Sequence, residues 1–288
     1  MNNILELTDL SKELDHFRLN KVSFSLMEGC ITGFIGVNGS GKTTTIKTIL
    51  GLILKDGGSI KLFGKEMTEH ERDLKNRIGV VLDEGYFYDD MTLKEMKNII
   101  SPAYKSWDED VFVSYIKRFN LSLNQKISTL SKGMRMKYAI TLALSHHADL
   151  LIMDEPTSGL DPLVRSELMD LLLEFMKEEG KTVFFSTHMT SDLDKIADML
   201  ILIDDGKILL SEEKDQLLDT HAIVKGDNKL LNEQTRKLFL VLRETAYGFE
   251  GVTSKKSSVH QQMSDVLIEK PTIEDIMLAY IGGSKDAI

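Results

Sequence analysis

Gly36-Val37-Asn38-Gly39-Ser40-Gly41-Lys42-Thr43-Thr44 fits the spacing GxxxxGK[ST]. Glycines at these positions let successive backbone N–H groups turn inward around phosphate oxygens, and a helix opening here offers its positive end to the same anion. Lys42 would then reach the β and γ phosphates, and the Thr43 hydroxyl would hold Mg²⁺. A second chemical pair, Asp154 and Glu155, closes the apolar run that starts at Leu150. The first acid after such a run suits a Mg²⁺ ion, usually held through water. The second, Glu155, is placed to orient and polarise an attacking water. An ordinary glutamate, with a pKa near 4.3, is a weak base, so positioning comes first and proton acceptance second. Lysine, hydroxyl and paired acids in this arrangement describe hydrolysis of a nucleoside triphosphate, with ATP and Mg²⁺ as the required cofactors.

Positioning these groups takes a strand before the glycine loop, a helix after it, and a strand carrying the acids. The sequence supplies all three. Ile31 to Ile35 reads as a buried strand, and Thr43 to Leu52 as a helix. Ile78 to Leu82, Leu150 to Met153, Thr182 to Phe185 and Leu200 to Ile203 are four further short apolar runs bounded by charged or turn residues. Such runs suit a parallel sheet covered by helices on both faces. The expected fold is therefore α/β, a RecA-like P-loop NTPase core. Helical patterns at Leu93 to Ile100, Asp108 to Phe119 and Met134 to Ser145 interrupt the alternation. The expected division is a core of about residues 1–83 and 149–220, a helical insert at about 84–148, and a small mixed extension at about 221–288. The extension should close with a helix, because Thr272 and Asp275 stand at capping-box spacing before an apolar run.

Over about residues 4–220 the chain resembles the nucleotide-binding subunit of ATP-binding cassette (ABC) transporters. Leu130-Ser131-Lys132-Gly133-Met134 stands where that family has LSGGQ, Ser158-Gly159-Leu160-Asp161 matches its D-loop, and Thr187-His188 its switch histidine. The resemblance implies a dimer of cassettes, a homodimer or a pair with a homologous cassette, sandwiching two nucleotides head to tail. Ser131 and Gly133 would then meet the γ-phosphate of ATP on the facing copy, Asp161 would belong to the same composite site, and His188 would contact the γ-phosphate as a catalytic switch. It also implies a separate multi-span membrane subunit, with this chain at the cytoplasmic face of the membrane. Among non-transport ABC proteins, chromosome-maintenance members carry long coiled coils and translation factors two cassettes per chain; this sequence has neither. A mainly nucleotide-binding regulator is the other alternative.

The departures matter too. Lys132 and Met134 replace a glycine and the glutamine of LSGGQ. The Q-loop glutamine, a metal contact in the family, is replaced by Asp83. Spacing puts Leu14 where an aromatic usually stacks on adenine, so Phe17 is the nearest candidate for that role. Departures like these resemble bacterial cassettes that serve separately encoded exporters of drugs, bacteriocins or amphipathic peptides such as phenol-soluble modulins.

Composition narrows the partners. Lys plus Arg number 35 against 45 Asp plus Glu, a net charge of −10, which argues against broad phosphate neutralisation on nucleic acid. The one cysteine, Cys30, rules out an intramolecular disulfide and is expected to be an inert buried thiol. No stretch approaches the roughly 20 apolar residues of a membrane span, and the opening residues lack the basic-then-apolar layout of a secretory signal. His146 and His147, at a helix end, are expected to be exposed or to complement the helix dipole. Tyr86, Phe87 and Tyr88 fall in an acidic loop and are either core or a partner socket.

Overall fold

The computed structural model describes residues 2–82 and 86–285. Along the chain, β1 (Asn3–Leu14) and β2 (Phe17–Met27) form a hairpin, and β3 (Ile31–Ile35) runs through the glycine loop into α1 (Lys42–Ile49). Then come β4 (Gly57–Leu62), β5 (Lys65–Glu66), α2 (Met67–Lys75) and β6 (Ile78–Val81). Helices α3 (Leu93–Ile100), α4 (Glu109–Arg118) and α5 (Lys132–Leu144) make the insert. The core resumes with β7 (Leu150–Asp154), α6 (Pro162–Phe175), β8 (Thr182–Thr187), α7 (Thr190–Ile196), β9 (Met199–Asp204), β10 (Lys207–Glu213) and α8 (Lys214–Thr220). The last stretch holds β11 (Ala222–Gly226), α9 (Glu233–Arg236), β12 (Val241–Thr245), β13 (Gly248–Thr253), α10 (Lys256–Gln262), β14 (Leu267–Glu269) and α11 (Ile273–Lys285).

The central sheet has the order β10-β9-β3-β8-β7-β6. Five of its strands are parallel, and β10 adds an antiparallel edge. Every residue of β3, β7 and β8 is buried, as helices on both faces require. On one face α5, α6 and α7 pack onto Leu151, Met153, Val183 and Phe185. On the other, Phe34 and Phe184 meet Phe24, with centroids 5.6 and 5.7 Å away. Phe24 belongs to an antiparallel sheet of order β2-β1-β4-β5 that encloses α1 against the core. Helix α5 serves two cores at once: Tyr138 and Leu142 join the insert, while Ala139, Ile140, Ala143 and Leu144 join the sheet's core. The second half of α5 is therefore held against both cores.

The extension is a sheet of order β12-β13-β11-β14 with its own small core around Val224, Phe249 and Val259. Helix α11 leaves it and buries Ile273, Ile276, Met277 and Ile281 in the main core. The capping box at its start is formed: the Asp275 carboxylate accepts from the Thr272 N–H at 2.8 Å, and Thr272 Oγ1 accepts from the Asp275 N–H at 3.1 Å. Three local expectations need correction. His146 is 1% exposed and stacked on Tyr104, so it is a core group whose burial pushes its pKa down to about 4. Cys30 is only half-buried. The polar run from Lys255 to Ser258, which by composition alone reads as an exposed loop, instead opens α10.

Candidate functional site

The glycine loop lies at the carboxyl end of β3, between neighbours β8 and β9. Gly39 and Gly41 have φ of +80° and +113°, a region most side chains avoid. At Gly41 a Cβ would also stand 2.6 Å from the Phe17 ring. Gly41 precedes α1 without a side-chain cap, so the first N–H groups of the helix are left to an anion. Above them opens a cavity of about 640 Å³. Asn38, Gly39, Gly41, Lys42, Thr43 and Thr44 form one wall, and Glu155, Ser158 and His188 form the other. Gly36 and Ser40 stand behind the loop: a Cβ on Gly36 would fall 2.5 Å from Ser40 Oγ.

Lys42 is 5% exposed. Its ammonium donates to the Gly36 carbonyl at 2.8 Å and the Val37 carbonyl at 3.3 Å, and pairs with Glu155 Oε1 at 3.2 Å. The other carboxylate oxygen, Glu155 Oε2, lies 2.7 Å from His188 Nδ1 and accepts from the His188 N–H at 3.3 Å. One cation, one carboxylate and one imidazole thus form a continuous chain across the floor of the cavity. Glu155 sits at φ +49°, a strained backbone position for a non-glycine residue. Ser186 at the end of β8 holds it there, since the Glu155 N–H donates to Ser186 Oγ at 3.0 Å and to the Ser186 carbonyl at 3.2 Å. The same hydroxyl donates to Asp154 Oδ1 at 2.6 Å. Ser186 therefore fixes both acids, a role that the sequence reading missed.

Phe17 lines the cavity with Leu14 and His16, from the tip of the β1–β2 hairpin. His16 was also missed, and finding it needs the hairpin that carries it. Three expected site residues lie elsewhere. Ser131 caps α5 by accepting from the Met134 N–H at 3.2 Å. Gly133 faces Val164 of α6. Asp161 caps α6, accepting from the Leu163 and Val164 N–H groups at 3.0 Å each. None of the three lines the Lys42 cavity. Asp83 lies outside the described residues.

Comparisons with known proteins identify the family. Residues 19–158 match the family model described as ABC transporter. The bacitracin transport ATP-binding protein BcrA of Bacillus licheniformis is 33% identical over 217 residues, 73% of this chain and 69% of that one. The lantibiotic transport ATP-binding protein SrtF of Streptococcus pyogenes is 31% identical over 220 residues, 76% of this chain and 93% of that one. A solved ATP binding subunit of an ABC transporter superposes with a TM-score of 0.68 at 27% identity, covering 75% of this chain and 92% of that one. A glycine loop closed over a lysine–glutamate–histidine chain, on this sheet and in this company, places the protein in the ABC transporter family as an ATP-binding, ATP-hydrolysing subunit.

Proposed function

We propose that this chain is the motor of an exporter for drugs, antimicrobial peptides or amphipathic peptides. Two cassettes would close head to tail around two Mg-ATP and drive a separate multi-span membrane subunit from the cytoplasmic face. The observation that carries this reading is the split of the site. Lys42, Glu155 and His188 converge on one cavity, while Ser131, Gly133 and Asp161 present themselves elsewhere on the same chain. A second chain would bring the two sets together. The cargo class draws on the relatives named for bacitracin and lantibiotic transport.

The residues present fit Mg²⁺. Thr43 lines the cavity, and Asp154 is 4% exposed with its carboxylate oriented by Ser186. Hard oxygen donors in small number suit an ion that keeps waters and binds substrate phosphates. No group of three or more metal-ligating side chains occurs among the described residues, which fits an ion arriving with the nucleotide. When bound, it neutralises phosphate charge. Lys42 binds the β and γ phosphates, Glu155 orients the water, and His188 contacts the γ-phosphate.

Among the described residues no helix is long and apolar enough to cross a membrane, so force must pass through a surface. An apolar groove of about 280 Å³ lies between core and insert, lined by Val80, Leu82, Tyr86, Phe87 and Met96 among others. Tyr86 is 62% exposed, and Phe87 packs on Tyr138 at 5.2 Å. Exposed aromatics beside an apolar groove are favoured anchors. Co-purification tests the reading. The wild-type chain should retain a multi-span membrane protein, and Tyr86→Ala with Phe87→Ala should release it while still binding ATP. Undiminished recovery by a folded double variant would move the socket elsewhere.

A further inference from the structure

The cavity wall opposite the glycine loop is made by two segments that each run into a helix. Ser158 belongs to the turn that ends at Asp161 and α6; His188 leads into α7. Arg165, one turn into α6, donates its own N–H to the Asp161 carbonyl at 3.0 Å. Its guanidinium crosses to α7, where Nη2 meets Asp192 Oδ1 at 2.5 Å and reaches Ser191 Oγ at 3.4 Å. The Asp192 side chain is 4% exposed and that of Arg165 22%. The second oxygen, Asp192 Oδ2, is buried without a hydrogen-bond partner.

Burying such a pair is a poor way to gain stability, because desolvation offsets most of the attraction. Apolar side chains of similar volume would hold two helices together as well. What the pair adds is register, since a guanidinium and a carboxylate accept only a narrow range of mutual angles. Helix α7 is already seated on β3, where Gly33 leaves space that Leu193 fills: a Cβ there would lie 2.2 Å from Leu193 Cδ2. The ion pair therefore holds α6 and α7 in one register, so that either helix start carries the other when it shifts.

We propose that Arg165 and Asp192 are positioning residues that make the Ser158–Asp161 turn and the switch residue His188 move together. A phosphate contact sensed at His188 is thereby passed to the turn presented to a second copy. The inference rests on the motor reading above. Neither residue lines the nucleotide cavity, so both act through other groups.

Three variants test it. Asp192→Asn removes the charge with little change of shape. Arg165→Gln with Asp192→Asn removes both charges. Arg165→Met with Asp192→Leu replaces the pair by apolar packing, which keeps the helices together and the chain folded. All three are expected to bind ATP within twofold of wild type, by calorimetry, and to lose fivefold or more in kcat. The neutral double variant should be no slower than Asp192→Asn alone, because residues acting as one unit are not additive. Wild-type kcat in the folded apolar pair overturns the proposal. So does a kcat loss matched by an equal loss of ATP affinity, which is what a merely structural role predicts. Glu155→Gln, run alongside, separates the two levels. If it is inactive while the apolar pair is fully active, the coupling idea alone fails; if it hydrolyses ATP at the wild-type rate, the reading of the site fails and the coupling with it.

Discussion

Replacing Glu155 by Gln removes one negative charge from between Lys42 and His188 and leaves the side chain's shape intact. Glu155 Oε1 stands 3.2 Å from the Lys42 ammonium, and the two side chains are 14% and 6% exposed. At that distance the gross attraction is roughly 332/(20 × 3.2), about 5 kcal/mol, at an effective dielectric of about 20. Hydration of the separated groups offsets most of it, leaving the roughly 1.5–3 kcal/mol typical of a hydrogen bond to a charged group. An incoming phosphate must displace that carboxylate to reach Lys42. The variant weakens the competition, because an amide oxygen is only a neutral acceptor for the ammonium, and it also removes a repelling charge beside the polyphosphate. ATP affinity should therefore rise by about tenfold to a hundredfold, at about 1.4 kcal/mol per tenfold.

Turnover should move the opposite way. Without the carboxylate no group orients the attacking water, and kcat should fall by on the order of a hundredfold to a thousandfold. The fold should tolerate the change, because Lys42 keeps its bonds to the Gly36 and Val37 carbonyls. Calorimetry gives the affinity and phosphate release the turnover; gel filtration with ATP should show a dimer, because two chains closed around unhydrolysed ATP would not separate. Unchanged or weaker ATP binding together with wild-type phosphate release would refute the assignment.

Lys42→Ala should weaken ATP binding by roughly 1.5–3 kcal/mol, about tenfold or more, through loss of a charge-assisted phosphate contact; calorimetry showing wild-type affinity would count against it. Gly41→Ala places a methyl 2.6 Å from the Phe17 ring at φ +113°, so it should abolish nucleotide binding while melting shifts only modestly; full binding would mean the loop is not held as described. His146 should make the fold acid-sensitive. Burial holds its pKa near 4 against an ordinary 6.5, so the unfolded chain takes up the proton first and stability is lost as pH falls from 6.5 towards 4. The loss is at most about 3 kcal/mol, from about 1.36 kcal/mol per unit. Urea midpoints at pH 7.5 and 4.5 should converge in His146→Phe, which keeps the stack on Tyr104, and an unaltered acid limb in that variant would refute the cause.

Period and punctuation were enough to read the parallel sheet, because its strands are buried on both faces and stand out as short apolar runs. The N-terminal antiparallel sheet was not legible. Strand β1 mixes buried Leu5, Leu7 and Leu10 with exposed Asp9 and Glu13, and its pairing with β2 shifts register between Leu7 and Leu10, which breaks the alternation a strand reading relies on. His16 was lost with that hairpin. Ser186 was invisible for another reason: a serine at the end of an apolar run carries no signal until Asp154 and Glu155 are seen beside it. His146 was misread because a helix terminus usually means exposure, whereas Tyr104, remote in sequence, folds over this one.

On the proposed motor reading, the same charges also account for how a composite site stays inert until two chains close. Lys42, Glu155 and His188 engage one another across the floor of the cavity, so a phosphate reaches Lys42 by exchanging partners and not by meeting unpaired charge. The groups presented elsewhere are restrained in a different way. Ser131 accepts the Met134 N–H, which fixes its side chain while its hydroxyl proton can still be donated, since a hydroxyl both accepts and donates. Asp161 accepts two N–H groups of α6 and so fixes the entry of that helix. Each cap orders its loop before any phosphate arrives, which lowers the entropy lost on closure. Breaking either cap should therefore weaken the ATP-dependent association of two chains more than the binding of ATP to one.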